Sequence, residues 1–173
     1  MRYNQIKSGF VKMKVGHIME FEYRKATIDD LDLLTKTRIE VLRAANNLSS
    51  DTDMYEVEME SYEYYKLALK NDSHTAYLVF DEGKFIGAGG ISYYVVMPTY
   101  HNPTGKKAYV MNMYTKPAYR RKGIAMKTLD LLIQDAQKRG INSITLEATD
   151  MGKPLYEKYG FTQMKSELEL SIS

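Results

Sequence analysis

Apolar residues first recur with a clear period at Met19-Glu20-Phe21-Glu22-Tyr23-Arg24-Lys25-Ala26, where Phe21 and Tyr23 alternate with charged residues as in an edge strand. Residues 1–18 show no such period, and Met19 reads like a natural start, so the chain divides into an N-terminal extension, 1–18, and one domain, 19–173. Thr27 and Asp30 have the spacing of a capping box. Behind them Leu31, Leu34, Val41, Leu42 and Ala45 fall on one helical face as far as Asn46-Asn47. A second helix is predicted over about 54–69, apolar through Met59, Tyr62, Tyr65, Lys66 and Leu69. Ala76-Tyr77-Leu78-Val79-Phe80, the turn Asp81-Glu82-Gly83, and the run from Phe85-Ile86 to Val95-Val96 predict two antiparallel strands. Residues 98–107, with Asn102-Pro103 and Thr104-Gly105, predict a loop.

A third strand of this group is expected over 109–115, ended by Pro117. The clearest helix follows: Ala125, Leu129, Leu132, Ile133 and Ala136 keep one face, Lys138 and Arg139 suit the C-terminal dipole, and Gly140 stops it. Residues 141–148 predict a buried strand, 154–159 a short helix with Gly160 just past its end, and 165–172 a final alternating strand. The order β-α-α-β-β-β-α-β-α-β implies a single-domain α/β protein with a mixed sheet, in which the two strands flanking the long helix are parallel neighbours.

At 173 residues, 44% hydrophobic and 27% charged, the chain has material for one core and no disorder-prone composition. The 24 basic and 22 acidic residues leave a net charge of +2, so any polyanion-binding patch is local and a nucleic-acid partner is not expected. Cysteine is absent, which removes disulfides, thiolate nucleophiles and cysteine-held metals. His17, His74 and His101 lie far apart without i,i+4 spacing, so no metal site is expected. No apolar run approaches the ~20 residues of a membrane span and no signal-peptide pattern precedes the domain, which points to a cytoplasmic location without a membrane partner.

Between the third strand and the long helix stands Pro117-Ala118-Tyr119-Arg120-Arg121-Lys122-Gly123-Ile124-Ala125. A helix N-terminus offers free N–H groups and a positive dipole end, Gly123 lets an anion reach the main chain, and Lys116, Arg120, Arg121, Lys122 and Lys127 add charge with no acid among them. Such a turn suits a pyrophosphate; a solvated basic turn is the other reading open at this point. Gly87-Ala88-Gly89-Gly90 lacks the third glycine of a dinucleotide fingerprint, and no Walker A spacing occurs. Those glycines fit strand bends or close packing better.

The segment Arg120-x-x-Gly123-x-Ala125, preceded by Asn112-Met113-Tyr114-Thr115-x-Pro117, resembles the Arg/Gln-x-x-Gly-x-Gly/Ala signature of the GNAT N-acetyltransferase superfamily. Leu155-Tyr156-x-x-x-Gly160-Phe161 resembles that family's second signature, Leu-Tyr-x-x-x-Gly-Phe. The two occur in the family's order and spacing, and the likeness covers the chain from Met19 onward. It implies the GNAT acyl-CoA N-acyltransferase fold and acetyl-CoA as co-substrate. Arg120, Arg121, Lys122, Gly123, Ile124, Ala125 and Met126 would then bind the cofactor, with main-chain N–H groups from Arg121 through Met126 on the pyrophosphate. Met113, Tyr114 and Thr115 would line the pantetheine arm between two splayed parallel strands.

The resemblance further implies direct attack of an amine on the thioester in a ternary complex, which needs an oxyanion donor, a base and an acid. Tyr156 matches the family's tyrosine acid, and the Met113 N–H would be the oxyanion donor. Asn112 stands on the strand where some relatives carry an acid; an asparagine cannot serve as base, which suggests a water-relayed base or an amine arriving partly deprotonated, and of Glu147 and Asp150, both near the cleft by strand order, Glu147 is the candidate. The acceptor would be a primary amine of a small molecule or protein. Asp51, Asp53, Glu56, Glu58, Glu60 and Glu63 either draw a cationic amine to the cleft or line the solvent face of the second helix. Tyr93, Tyr94, Tyr100 and His101 either wall the opposite rim or form a strand edge. A non-catalytic CoA-binding module is the alternative function, and a homodimer is compatible with either.

Overall fold

In a computed structural model that describes residues 20–165 and 167–170, the chain enters the fold through β1 (Glu22–Lys25) and turns at Asp30. Asp30 Oδ2 accepts the Thr27 N–H at 2.8 Å, and Arg24 donates to both carboxylate oxygens at 2.8 and 2.9 Å. A 3-10 turn (Ile28–Asp30) leads from this clamp into α1 (Leu31–Asn46), which ends on left-handed Asn47. After α2 (Tyr55–Lys70) come β2 (His74–Asp81) and β3 (Lys84–Val95). Glu82 and Gly83, with φ of 48° and 78°, make the two-positive-φ turn whose twist matches the strands it joins. Then follow β4 (Lys106–Thr115), a 3-10 turn (Pro117–Tyr119), α3 (Ile124–Lys138), β5 (Ser143–Thr145) and α4 (Lys153–Tyr159).

The five strands lie in the order β1-β2-β3-β4-β5, antiparallel except for the parallel pair β4 and β5 on either side of α3, which is the mixed α/β sheet expected. One face packs Ile91, Ala108 and Val110 against Leu129, Leu132, Ile133 and Ala136 of α3. The other packs Ala76, Leu78 and Ala88 against Leu34 of α1 and Tyr65 of α2. The glycines of β3 serve close packing: a Cβ on Gly89 would stand 2.5 Å from Met113 Sδ and 2.7 Å from Thr128 Cγ2, and one on Gly90 2.7 Å from His74 Nε2. Among the described residues no helix is long and apolar enough to cross a membrane.

Two expectations need correction. The strand over 141–148 shrinks to the three half-buried residues of β5, which pair with Lys107, Ala108 and Tyr109. Beyond Tyr109, β4 carries one residue more than β3 between the pairs Gly90↔Met111 and Ala88↔Tyr114, and Asn112 takes a left-handed φ of 55°. That bulge bends β4 off the line β5 would follow, so 146–149 find no ladder partner. The final strand is the second: positions 166, 171 and 172 lie outside the described residues, and the rest of 165–172 forms no strand, with Leu168 and Leu170 exposed. A three-residue β5 offers too little edge to template it. The proposed extension, 1–18, lies outside the described residues, as does Met19.

Under α3, Asp135 collects hydrogen bonds from Tyr93 (2.7 Å), Thr75 (2.9 Å), Arg139 (3.0 Å) and Lys25 (3.2 Å). Burial pushes its carboxyl up, but these donors outweigh burial and hold it well below the usual carboxylate range. A carboxyl depressed in the folded state contributes stability that is full above its unfolded value, ~4, and is lost as pH falls below that toward the folded value. Asp135→Asn is therefore expected to lower stability at pH 7 by about 1–3 kcal/mol, because it leaves buried donors poorly matched. It should also flatten the fall in Tm below pH ~4; equal acid slopes for both proteins would contradict this.

Candidate active site

Pairing between β4 and β5 stops at Tyr109 and Thr145, while β4 runs on to Thr115. Met113, Tyr114 and Thr115 thus line the side of β4 that β5 has left. Met113 and Thr115 are half-buried, and the Thr115 hydroxyl oxygen is buried without a partner among the described residues. Tyr114 stacks at 6.5 Å on Phe85 and lines a groove of about 590 Å³ with Glu40, Arg43, Pro117 and Arg120.

From Thr115 the chain passes through Arg120, whose Nε donates to the Thr115 carbonyl at 3.3 Å and whose Nη1 lies 3.6 Å from Met151 Sδ just before α4. Arg121 and Gly123 then take left-handed φ values of 62° and 80°. The first main-chain donor returned to the helix is the Lys127 N–H, to Gly123 at 3.0 Å. The N–H groups of Arg121, Lys122, Gly123, Ile124, Ala125 and Met126 have no acceptor among the described residues. A Cβ built on Gly123 meets nothing within 4 Å, so the concavity is open. Lys122 sits 4.9 Å over Tyr119 and Lys127 5.8 Å over Tyr23, which keeps both ammonium groups at the rim. Six unpaired donors, the positive end of α3 and exposed cations can together hold a phosphate-sized anion.

Across the opening, α4 carries Tyr156, 9% exposed and edge-on to Phe161 at 6.0 Å. Burial pushes its phenol up, and neighbouring Tyr109 adds to the shift, so it stays protonated at neutral pH. Tyr109 is raised by burial and then by Glu147, whose exposed carboxylate lies beside it. The fold therefore brings both Glu147 and Tyr156 near Tyr109, the last β4 residue paired with β5. Nothing in the sequence marked Tyr109 among 15 tyrosines; only its register opposite Thr145 does. At the bulge itself, Asn112 is 7% exposed; its Nδ2 donates to Tyr65 Oη at 3.3 Å, and its Oδ1 is buried without a partner among the described residues. Burial pushes the Tyr65 phenol up to about 12.

Other sequence candidates do not converge here. The six acids from Asp51 to Glu63 are all exposed, and Glu63 pairs with Lys66 at 3.0 Å, as expected of a solvated helix face. Tyr93 is no rim residue: its hydroxyl donates to Asp135 and its ring lies 4.1 Å under Arg139, on the α3 face. His74 is fully buried, and burial pushes its imidazole down to about 4, so it is neutral at physiological pH.

Residues 42–161 match the family model described as the Acetyltransferase (GNAT) family. A predicted acetyltransferase from Clostridium acetobutylicum, crystallised with acetyl-CoA, superposes with a TM-score of 0.81 at 34% identity, covering 88% of this chain and 96% of that one. A GCN5-related N-acetyltransferase from Ralstonia eutropha JMP134 gives 0.79 at 25% identity, over 88% and 99% of the two chains. A Bacillus subtilis (strain 168) protein, the uncharacterized N-acetyltransferase YsnE, is 35% identical over 57 residues, 30% of this chain and only 38% of its own length. With its two signature segments on the turn before α3 and on α4, and with a family match across most of the sheet, the chain belongs to the GNAT acetyltransferase family.

Proposed function

We propose that the protein moves the acetyl group of acetyl-CoA to a primary amine by direct attack within a ternary complex. The observation that carries the reading is the row of six N–H groups from Arg121 to Met126 without an acceptor among the described residues, in a turn whose Arg121 and Gly123 are left-handed and which leaves Gly123 open toward solvent. Such a cradle suits a pyrophosphate, with Arg120, Arg121 and Lys122 supplying charge around it. The side of β4 that β5 leaves free would pair the main chain of Met113 and Thr115 with the amides of the pantetheine arm. The orphaned Thr115 hydroxyl faces the need for a partner in the same place.

Acetyl-CoA supplies an activated acyl carbonyl and a thiolate leaving group. The Met113 N–H would stabilise the carbonyl oxygen as negative charge gathers there. As the amine nitrogen bonds to the acyl carbon and the carbon–sulfur bond breaks, one proton must leave nitrogen and one must reach sulfur. Glu147 takes the first directly or through water, and Tyr156, held protonated by burial, gives the second.

Acetyl-CoA should raise Tm, and amines should release free thiol only when acetyl-CoA and enzyme are both present. No shift with acetyl-CoA would remove the cofactor reading. A shift without thiol release over a broad amine panel would leave a binding module in place of an enzyme.

A further inference from the structure

An arginine interrupts the apolar stripe of α1. Leu31, Leu34, Val41, Leu42 and Ala45 define that stripe; Arg38, four residues after Leu34 and three before Val41, lies in line with them and is half-buried. A guanidinium cannot shed its proton, so one drawn toward the interior needs a partner or a task. The other inward arginines are matched: Arg24 with Asp30, Arg139 with Asp72 and Asp135, and Arg43 with the carbonyls of Ser49 and Thr52. Arg38 makes no hydrogen bond or ion pair with any described residue. Its charge nevertheless reaches the phenols of Tyr64, Tyr65 and Tyr109, favouring their ionised forms against the burial that raises them.

Those neighbours locate it. Tyr65 holds Asn112 at the bulge of β4, and α1 packs across β4, where its Glu40 and Arg43 share a groove with Tyr114, so Arg38, whose charge reaches Tyr65 and Tyr109, lies on the helix that faces the wall of β4 used by the proposed chemistry. Among the described residues no anion pairs with Arg38 at that wall.

We propose that Arg38 binds a carboxylate of the acceptor, so that the acceptor is an amine that also carries an acid group. The inference rests on the acetyl-transfer reading and names its substrate class. A single planar guanidinium matches one carboxylate in bidentate fashion. A phosphate dianion would call for more than one cation. Arg38 thus does for the acceptor what the acids of α2, exposed to solvent, do not.

The test uses the full-length protein with acetyl-CoA and matched acceptors: the common α-amino acids and a short ω-amino acid series, each beside its carboxamide. At least one acid is expected to exceed its amide by about 10- to 100-fold in kcat/KM, the gain of a charge-assisted pair, chiefly through KM. Arg38→Gln should erase that difference by raising KM for the acid alone, and Arg38→Lys should restore part of it. Amides used as well as acids by the wild-type protein, or a ratio unchanged in Arg38→Gln, would overturn the proposal. So would the absence of turnover with every pair while acetyl-CoA still raises Tm, an outcome that leaves the cofactor reading standing. Should Arg38→Gln fold poorly, the wild-type ratio and inhibition by N-acetyl amino acids against their amides decide the matter: equal inhibition counts against Arg38.

Discussion

Replacing Gly123 with glutamate is expected to abolish measurable acetyl-CoA binding while leaving a folded protein. Gly123 has a φ of 80°, where a side chain costs about 1–2 kcal/mol. It also lies at the centre of the unpaired donors, with open space where a Cβ would go. A carboxylate there would fall among the N–H groups of 121–126 and take for itself the hydrogen bonds a pyrophosphate needs. Losing two charge-assisted bonds at ~1.5–3 kcal/mol each corresponds to a 10²- to 10⁴-fold weaker Kd, before any repulsion between like charges. Gly123→Ala separates the causes, since it keeps the backbone strain and omits the charge; it should weaken binding only by the strain. Titration calorimetry with acetyl-CoA reads both variants, and undiminished affinity in Gly123→Glu would move the phosphate site elsewhere.

The second large effect is expected at Tyr156. Tyr156→Phe keeps the ring against Phe161 and the α3 core, so Tm should hardly change. Loss of a positioned general acid costs about 10²- to 10⁴-fold in rate, and the loss should appear in kcat with acetyl-CoA affinity kept. Burial raises the phenol above its ordinary value, so the acid form persists through neutral pH and the rate should fall only as pH rises past ~10. That alkaline limb should vanish in the phenylalanine variant. An unchanged kcat would strip Tyr156 of the role and turn attention to Tyr109, the phenol beside it.

Much of the scaffold was legible along the chain because local physics writes it there. The stripe from Leu129 to Ala136, stopped at Gly140, specifies a helix whichever sheet it packs on, and the observed α3 ends one residue before Arg139. Gly83 marks the hairpin because glycine takes the positive φ of such a turn at no steric cost. The charged turn before α3 was visible for the same reason: a glycine at a helix start, flanked by cations, has few structural uses. The strand over 141–148 was misjudged because apolar content shows that a segment is to be buried and not how many partners it has.

By itself, then, the sequence determined which faces are apolar, where the chain turns, and which turn gathers basic residues, since each is set by neighbours a few positions away. Tertiary structure alone decided where β4 parts from β5, because the bulge at Asn112 exists only in the register of β4 against β3. It also decided that Tyr109 stands beside Glu147 and Tyr156, that Tyr93 belongs to Asp135 on the opposite face, and that the arginine within the α1 stripe meets phenols in place of a carboxylate. Periodicity assigns a residue to a face, whereas the identity of what covers that face comes from chain segments far away in sequence, and the chemistry of the site depends on the second.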